Sequence, residues 1–246
     1  MWFYIILIII ILILGYFYVN HNIYQSVGKI NRIFSKYCNE PAVLNPKEYQ
    51  WSANFRQYWY DILTEYQNYS NKFKIPKHSE INKFVSACDP QNNWQTLYLR
   101  AFNKNTSIAN YFPKTMNLIN KCPCTLAFFS VIGPHTKLKP HIGIYKGVLR
   151  YHLGLIIPKK WNQCFIKVDG QTLYWHEGDD IMFDDMFLHH VENNTDEPRI
   201  ILFLDIKRDF NNPFLNLINN FLLQFVKSND VLKETIKNVD NYNFSQ

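Results

Sequence analysis

The second half of this 246-residue chain is built from apolar runs too short and too closely spaced to be helices. LAFFSVI at 126–132, YHLGLIIP at 151–158, CFIKV at 164–168, IMFDD at 181–185 and RIILFLDI at 199–206 are parted by glycine, proline, asparagine and charged residues. Runs of this length between such breakers read as strands. No helix of ordinary length fits between most of them. That spacing argues against a doubly wound parallel sheet and for an antiparallel barrel or sandwich.

Before the strands the pattern is mixed, with aromatic-faced helices expected at 55–69 and 108–119. After them, 214–226 is an apolar-rich helix placed either on a membrane or on the barrel, and the residues from 238 onward are expected to fray. The chain therefore divides into an anchor at 1–19, a connector with one short helix at 20–44, a domain at 45–210 and a helical extension at 211–246. Nearly half the residues are hydrophobic, enough for a sizeable core and against wholesale disorder.

Residues 1–19 carry no charged side chain, and as a helix they would span about 28 Å, close to a hydrocarbon core. Aromatic residues near both ends fit interfacial anchoring. A single-pass segment in a lipid bilayer is expected. Lys29, Arg32 and Lys36 follow it, so the positive-inside rule places the domain on the cytoplasmic side. Sequons at Asn68, Asn105, Asn193 and Asn243 point weakly the other way. The net charge of +6 favours acidic partners, yet there is no basic stripe or zinc-finger spacing, and no nucleic acid is expected. Five dispersed cysteines do not make a disulfide scaffold; Cys122 and Cys124 read as buried or half-buried thiols.

Four short motifs stand out among the strands: PHIG at 140–143, RYHLGL at 150–155, FDDMFLHH at 183–190 and PRIILFLD at 198–205. Each alone is weak, since a lone histidine is commonly a structural group and a lone arginine a solvated charge. Two histidines on separated strands can converge across a barrel, and imidazole suits Fe(II). A buried arginine can clasp a dicarboxylate through two parallel hydrogen bonds.

In this order and spacing the motifs resemble those of the aspartyl/asparaginyl beta-hydroxylase family of 2-oxoglutarate dioxygenases, over roughly 49–210. That family includes bacterial enzymes acting on an acyl chain of lipid A. The resemblance implies a mainly β fold with flanking helices, a double-stranded beta-helix or jelly roll. It implies Fe(II) as cofactor, with 2-oxoglutarate and dioxygen as cosubstrates. His141 and His189 match the iron ligands. Gly143 stands where the wider superfamily has an acidic ligand, and this family uses two histidines and water. Asp185 matches a carboxylate that holds iron-bound water. Arg199 and Ser130 match the grip on the far carboxylate of 2-oxoglutarate, and His152 a cosubstrate-pocket residue. Arg150 points to either the cosubstrate or the substrate side. Asp184 reads as a turn or surface residue, His190 as a neighbour of His189 without a role, Trp175 and Gly178 as shaping a turn, and Trp94 as core or pocket wall.

Two substrates follow from the resemblance: a protein aspartate or asparagine side chain, or a fatty-acyl chain of a membrane lipid. Val148 stands where protein-directed relatives carry a further arginine, and the short anchor before the domain is the lipid-directed layout. Outside enzymes, the alternative is a catalytically degenerate, membrane-tethered binding module.

Overall fold

The computed structural model describes residues 23–81, 88–101, 103–226, 237–239 and 241–242, so the expected anchor lies outside the described residues. Among the described residues no helix is long and apolar enough to cross a membrane. The chain opens with α1 (Ile23–Lys36), β1 (Val43–Leu44), α2 (Gln50–Gln57), α3 (Trp59–Ser70) and α4 (His78–Ile81). Strands β2 (Trp94–Ala101) and β3 (Lys104–Asn105) precede α5 (Pro113–Ile119). Eight strands follow: β4 (Cys124–Ile132), β5 (Thr136–His141), β6 (Val148–Ile156), β7 (Cys164–Val168), β8 (Gln171–Tyr174), β9 (Asp180–Phe183), β10 (His189–Asn193) and β11 (Arg199–Lys207). Helix α6 (Pro213–Val226) comes after them.

A seven-stranded sheet has the order β1-β9-β6-β11-β4-β2-β3, and a four-stranded sheet the order β5-β10-β7-β8. The paired strands run antiparallel. From β4 to β11 the chain passes back and forth between the two sheets, which is the winding of a jelly roll. All nine residues of β4 are buried, because both faces of the large sheet are covered. On its outer face the helices pack: Tyr66 of α3 and Phe112 meet Phe129, while Trp51 and Phe55 of α2 meet Tyr151. Opposed residues of neighbouring antiparallel strands share a face. The register therefore puts Ser130, His152, Arg150, Phe203 and Asp205 on the inner face, towards the small sheet.

Two expected helices are interrupted. The first breaks at Tyr58, which lets α2 face Tyr151 and α3 face Phe129. The second is a 3-10 turn at Ser107–Tyr111 followed by α5, because Phe112 precedes Pro113 and is held out of helical conformation at φ −127° and ψ 52°. Helix α6 packs on the protein. Leu215 and Leu222 join Phe34 of α1 and Phe210 in a second apolar cluster, and Asn219 donates to the carbonyls of Gly147 and Arg208.

Candidate functional site

His141 ends β5 and His189 begins β10, and the two are paired across the small sheet. Their ring centroids lie 4.2 Å apart. His141 Nδ1 is 2.7 Å from the carbonyl of Lys139, and His189 Nδ1 is 2.9 Å from that of Phe187. A carbonyl only accepts, so each Nδ1 carries the hydrogen and each Nε2 keeps its lone pair. Burial lowers the pKa of His189 to about 4, which holds that ring neutral. Two imidazoles whose Nδ1 atoms are taken by backbone carbonyls, so that both present Nε2, are a fitting start for a divalent metal. Among the described residues no group of three or more His, Cys, Asp or Glu side chains is arranged to hold a metal. Of the described residues, the two imidazoles are what the site offers a metal.

Arg199 begins β11 and is 2% exposed. Its guanidinium carbon lies 4.5 Å from the centre of the Trp175 ring, and its Nε has no hydrogen-bond partner. Burial with no carboxylate alongside lowers its pKa to about 10. His152, on β6, is equally buried and both its ring nitrogens lack partners. Burial, with the charges of Arg199 and Arg150 added to it, keeps His152 neutral. Ser130 accepts a hydrogen bond of 2.9 Å from Trp94 Nε1, which leaves the serine hydroxyl proton to donate. Buried polar groups without partners are uncommon and costly. Here they lie within one inner face and include a cation, the chemistry of an anion pocket.

Asp185 accepts from Arg150 through Nε at 2.9 Å and Nη2 at 2.7 Å, and Arg150 also pairs with Asp205. Burial opposes the Arg150 charge, and the two carboxylates more than offset it, so its pKa is raised. The other Asp185 oxygen, Oδ1, is buried without a partner. A Cβ at position 143 would fall inside the Asp185 carboxylate. The carboxylate thus fills the space a side chain at Gly143 would need, and the Gly143 N–H donates to the Asp185 carbonyl at 2.6 Å.

The expected site residues come together: His141, His189 and Asp185 at the mouth, with Ser130, Arg150, His152 and Arg199 on the inner face. Asp184 is a turn residue, its Oδ1 accepting from the Met186 N–H at 3.0 Å, and the structure corrects only the surface alternative. Asp184 is fully buried and pairs with Lys146 and, at 2.6 Å, with Arg208, whose other nitrogen pairs with Glu40. His190 points away from the pair, 3.8 Å from Glu192. Gly178 holds a φ of +76° against Trp59, so its turn role stands on backbone geometry. Trp175 reaches further than a turn, forming the wall under Arg199. Sequence reasoning missed Asp205 and His78. Asp205 lies opposite Arg150 in the β11–β6 register, a relation visible only once the strands are aligned. His78 stacks on Trp94 at 4.1 Å and bonds Thr96 at 3.1 Å.

Fold and site together define a jelly-roll protein with paired imidazoles at the end of the small sheet and buried polar groups without partners, a guanidinium among them, on the inner face of the large one. Residues 56–209 match the family model described as aspartyl/asparaginyl beta-hydroxylase, and the chain belongs to that family. It is 30% identical over 212 residues to the ornithine lipid ester-linked acyl 2-hydroxylase of Rhizobium tropici, covering 85% of this chain and 75% of that protein. It is 35% identical over 109 residues to the human aspartyl/asparaginyl beta-hydroxylase, covering 42% of this chain and 14% of the human protein. A cupin 2 barrel protein from Salinispora arenicola aligns over 53% of this chain and 85% of its own, at 13% identity and a TM-score of 0.32. The jelly-roll assignment rests on the strand order of this chain and not on that likeness. The family relation places the chain among hydroxylases.

Proposed function

We propose that the protein is an Fe(II)- and 2-oxoglutarate-dependent hydroxylase acting on an unactivated carbon in the acyl chain of a membrane lipid, anchored by residues 1–19 with its domain on the cytoplasmic side. The observation that carries the chemistry is Arg199, a buried guanidinium without a counter-ion on the same inner face that leads to two free imidazole nitrogens. In this reading the Nε2 atoms of His141 and His189 hold Fe(II). Arg199 and Ser130 grip the far carboxylate of 2-oxoglutarate, and neutral His152 supplies a further polar contact in the same pocket. Asp185 Oδ1, buried without a partner, would accept a hydrogen bond from water held at that metal, and Arg150, itself paired with Asp205, fixes the carboxylate. Iron, 2-oxoglutarate and dioxygen supply the oxidising chemistry that turns a C–H bond into C–OH as 2-oxoglutarate becomes succinate and carbon dioxide. The chain's own part is to orient these groups and to wall the pocket with Trp175, Phe183 and Phe203.

An acyl substrate is favoured by the extent of the match to the Rhizobium enzyme, twice that to the human one. Val148 supports it too, since a carboxylate clamp is missing there. Anaerobic visible absorption tests the metal and cosubstrate. A charge-transfer band that needs both Fe(II) and 2-oxoglutarate, and that vanishes in His141→Ala, is expected. Folded protein without a band would overturn the reading and leave the degenerate binding module. Mass spectrometry of lipid extracts and of aspartate- or asparagine-containing peptides after turnover tests the substrate. A one-oxygen gain confined to the peptides would reassign it to a protein side chain.

A further inference from the structure

Ile142, Ile144 and Leu188 are 58%, 62% and 58% exposed, and all three lie within three residues of one of the paired histidines. Ile142 follows His141 and Leu188 precedes His189, so each lies just beyond the end of one of the two neighbouring strands that carry the imidazoles. Ile144 lies one residue beyond Gly143, whose N–H is bonded to Asp185. Aliphatic side chains ringing an opening are a costly surface to leave in water, and such patches mark interaction sites.

Helix α1 is fastened to this rim. The Asn31 side chain donates to the carbonyl of Ile144 at 2.8 Å and accepts from the N–H of Lys146 at 2.9 Å. Its inward face carries buried Asn31 and Phe34. Its outward face carries Lys29, Arg32, Ile33, Lys36 and, just past its end, Tyr37, all exposed. The spacing i, i+3, i+4, i+7, i+8 puts these five on one stripe, basic and apolar together, as on helices that lie in a lipid headgroup layer. Chain length brings the helix there. Three residues, Asn20 to Asn22, separate the uncharged run 1–19 from the start of α1, a reach of roughly 10 Å when fully extended.

We infer that the rim of Ile142, Ile144 and Leu188, with the outer stripe of α1, seats on an anionic lipid bilayer, so that the pocket opens into the acyl layer. A lipid substrate gives this surface its use and in that respect rests on the function proposed above. The surface itself is read from exposure, charge and chain length. The bilayer is the partner because the basic stripe complements anionic headgroups, while the rim offers aliphatic groups of acyl character.

The test uses the full chain reconstituted into vesicles of phosphatidylcholine and phosphatidylglycerol, with benzoylphenylalanine placed at position 142, 144 or 188. Position 161 is the control: Trp161 is 43% exposed and precedes β7 at the end remote from the histidine pair, since Val168 is the β7 residue opposite His189. After irradiation, adducts with lipid should be roughly ten-fold more abundant from the rim than from position 161, as a side chain in the acyl region differs from one in water. Changing Lys29, Arg32 and Lys36 to glutamine should lower the rim adducts in these vesicles. Equal adducts at all four positions, adducts with a second copy or another protein, or none with lipid would each overturn the inference. The readout needs neither metal nor turnover. Lipid adducts in a protein without the charge-transfer band would sink the proposed chemistry alone, and a band without adducts would sink the docking alone.

Discussion

Replacing Arg199 by methionine should stabilise the unliganded protein while removing its response to 2-oxoglutarate. Burial lowers the Arg199 pKa to about 10, and among the described residues no carboxylate offsets it. At pH 7 the guanidinium is charged in both the folded and the unfolded chain, so the depression is a full penalty on the fold, about 3 kcal/mol at 1.36 kcal/mol per unit. Methionine keeps an unbranched stem and removes the charge. It also loses the contact over Trp175, which at a desolvated site contributes about 2 kcal/mol. The net expectation is a gain of about 1 kcal/mol without ligand. With 2-oxoglutarate at a hundred-fold excess over Kd, the native protein should gain about 2.7 kcal/mol and the variant none, so the order of stability inverts. Urea unfolding of the detergent-solubilised chain under anaerobic Fe(II), with and without 2-oxoglutarate, reads both quantities. A methionine variant clearly less stable without ligand would mean the guanidinium has a structural partner. One that responds to 2-oxoglutarate like the native chain would refute the anion pocket.

His141→Ala and His189→Ala should each reduce hydroxylated product to background while circular dichroism shows the fold retained; turnover in either variant would sink the metal assignment. Gly143→Ala should cost about 3–5 kcal/mol, because the new Cβ displaces the Asp185 carboxylate and breaks its buried pair with Arg150. Adding Asp185→Ala removes the clash, so a double-mutant cycle of unfolding free energies should show the pair losing less than the sum, and additive losses would count against the reasoning. Burial lowers the His78 pKa to about 4 from 6.5. The fold holds the neutral ring, so its stability contribution is present above about pH 6.5 and is lost as pH falls towards 4, up to about 3 kcal/mol. The drop in urea midpoint between pH 7.5 and 4.5 should therefore be smaller in His78→Phe than in the native chain, and equal drops would remove His78 as a source.

The strands were legible because burial on both faces writes an almost unbroken apolar run, as in β4 and β11. The inner-face polar residues were legible as interruptions in those runs: Ser130 in LAFFSVI, Arg150 and His152 in RYHLGL, Arg199 at the head of RIILFLD. The roles proposed for them rest on the ordered motif set, since no local pattern distinguishes an arginine that binds a carboxylate ligand from a solvated one. What could not be read depends on contacts distant in sequence. Asp184 is the turn residue its place suggests, accepting from the Met186 N–H, but its burial was not legible because its partners Lys146 and Arg208 lie 38 and 24 positions away. The sequon at Asn193 has the right three residues, yet that side chain is fully buried and donates to the carbonyls of Ile132, Gly133 and Glu197. A folded chain has no glycan acceptor there.

Both segments that carry the histidines are held from outside the jelly roll. Asn31 of α1 fixes the backbone from Ile144 to Lys146, just beyond His141 and Gly143. Lys146 then reaches Asp184, beside the Asp185 that fills the space at Gly143, and Asp184 continues through Arg208 to Glu40. Every charged member of this chain except Glu40 is almost fully buried, and losing one partner of such a pair exposes the other to the full cost of an uncompensated buried charge. The network therefore has one favourable arrangement, and that arrangement sets the register of two loops at once. The matched family segment begins at residue 56, after both α1 and Glu40. The sheets supply the strand ends on which His141 and His189 sit, but the positions of Gly143 and Asp185 depend on a helix that the sequence joins almost directly to the uncharged run at the chain's start. In the function proposed here, that coupling would tie the geometry of the histidine pair to the proposed anchor at 1–19.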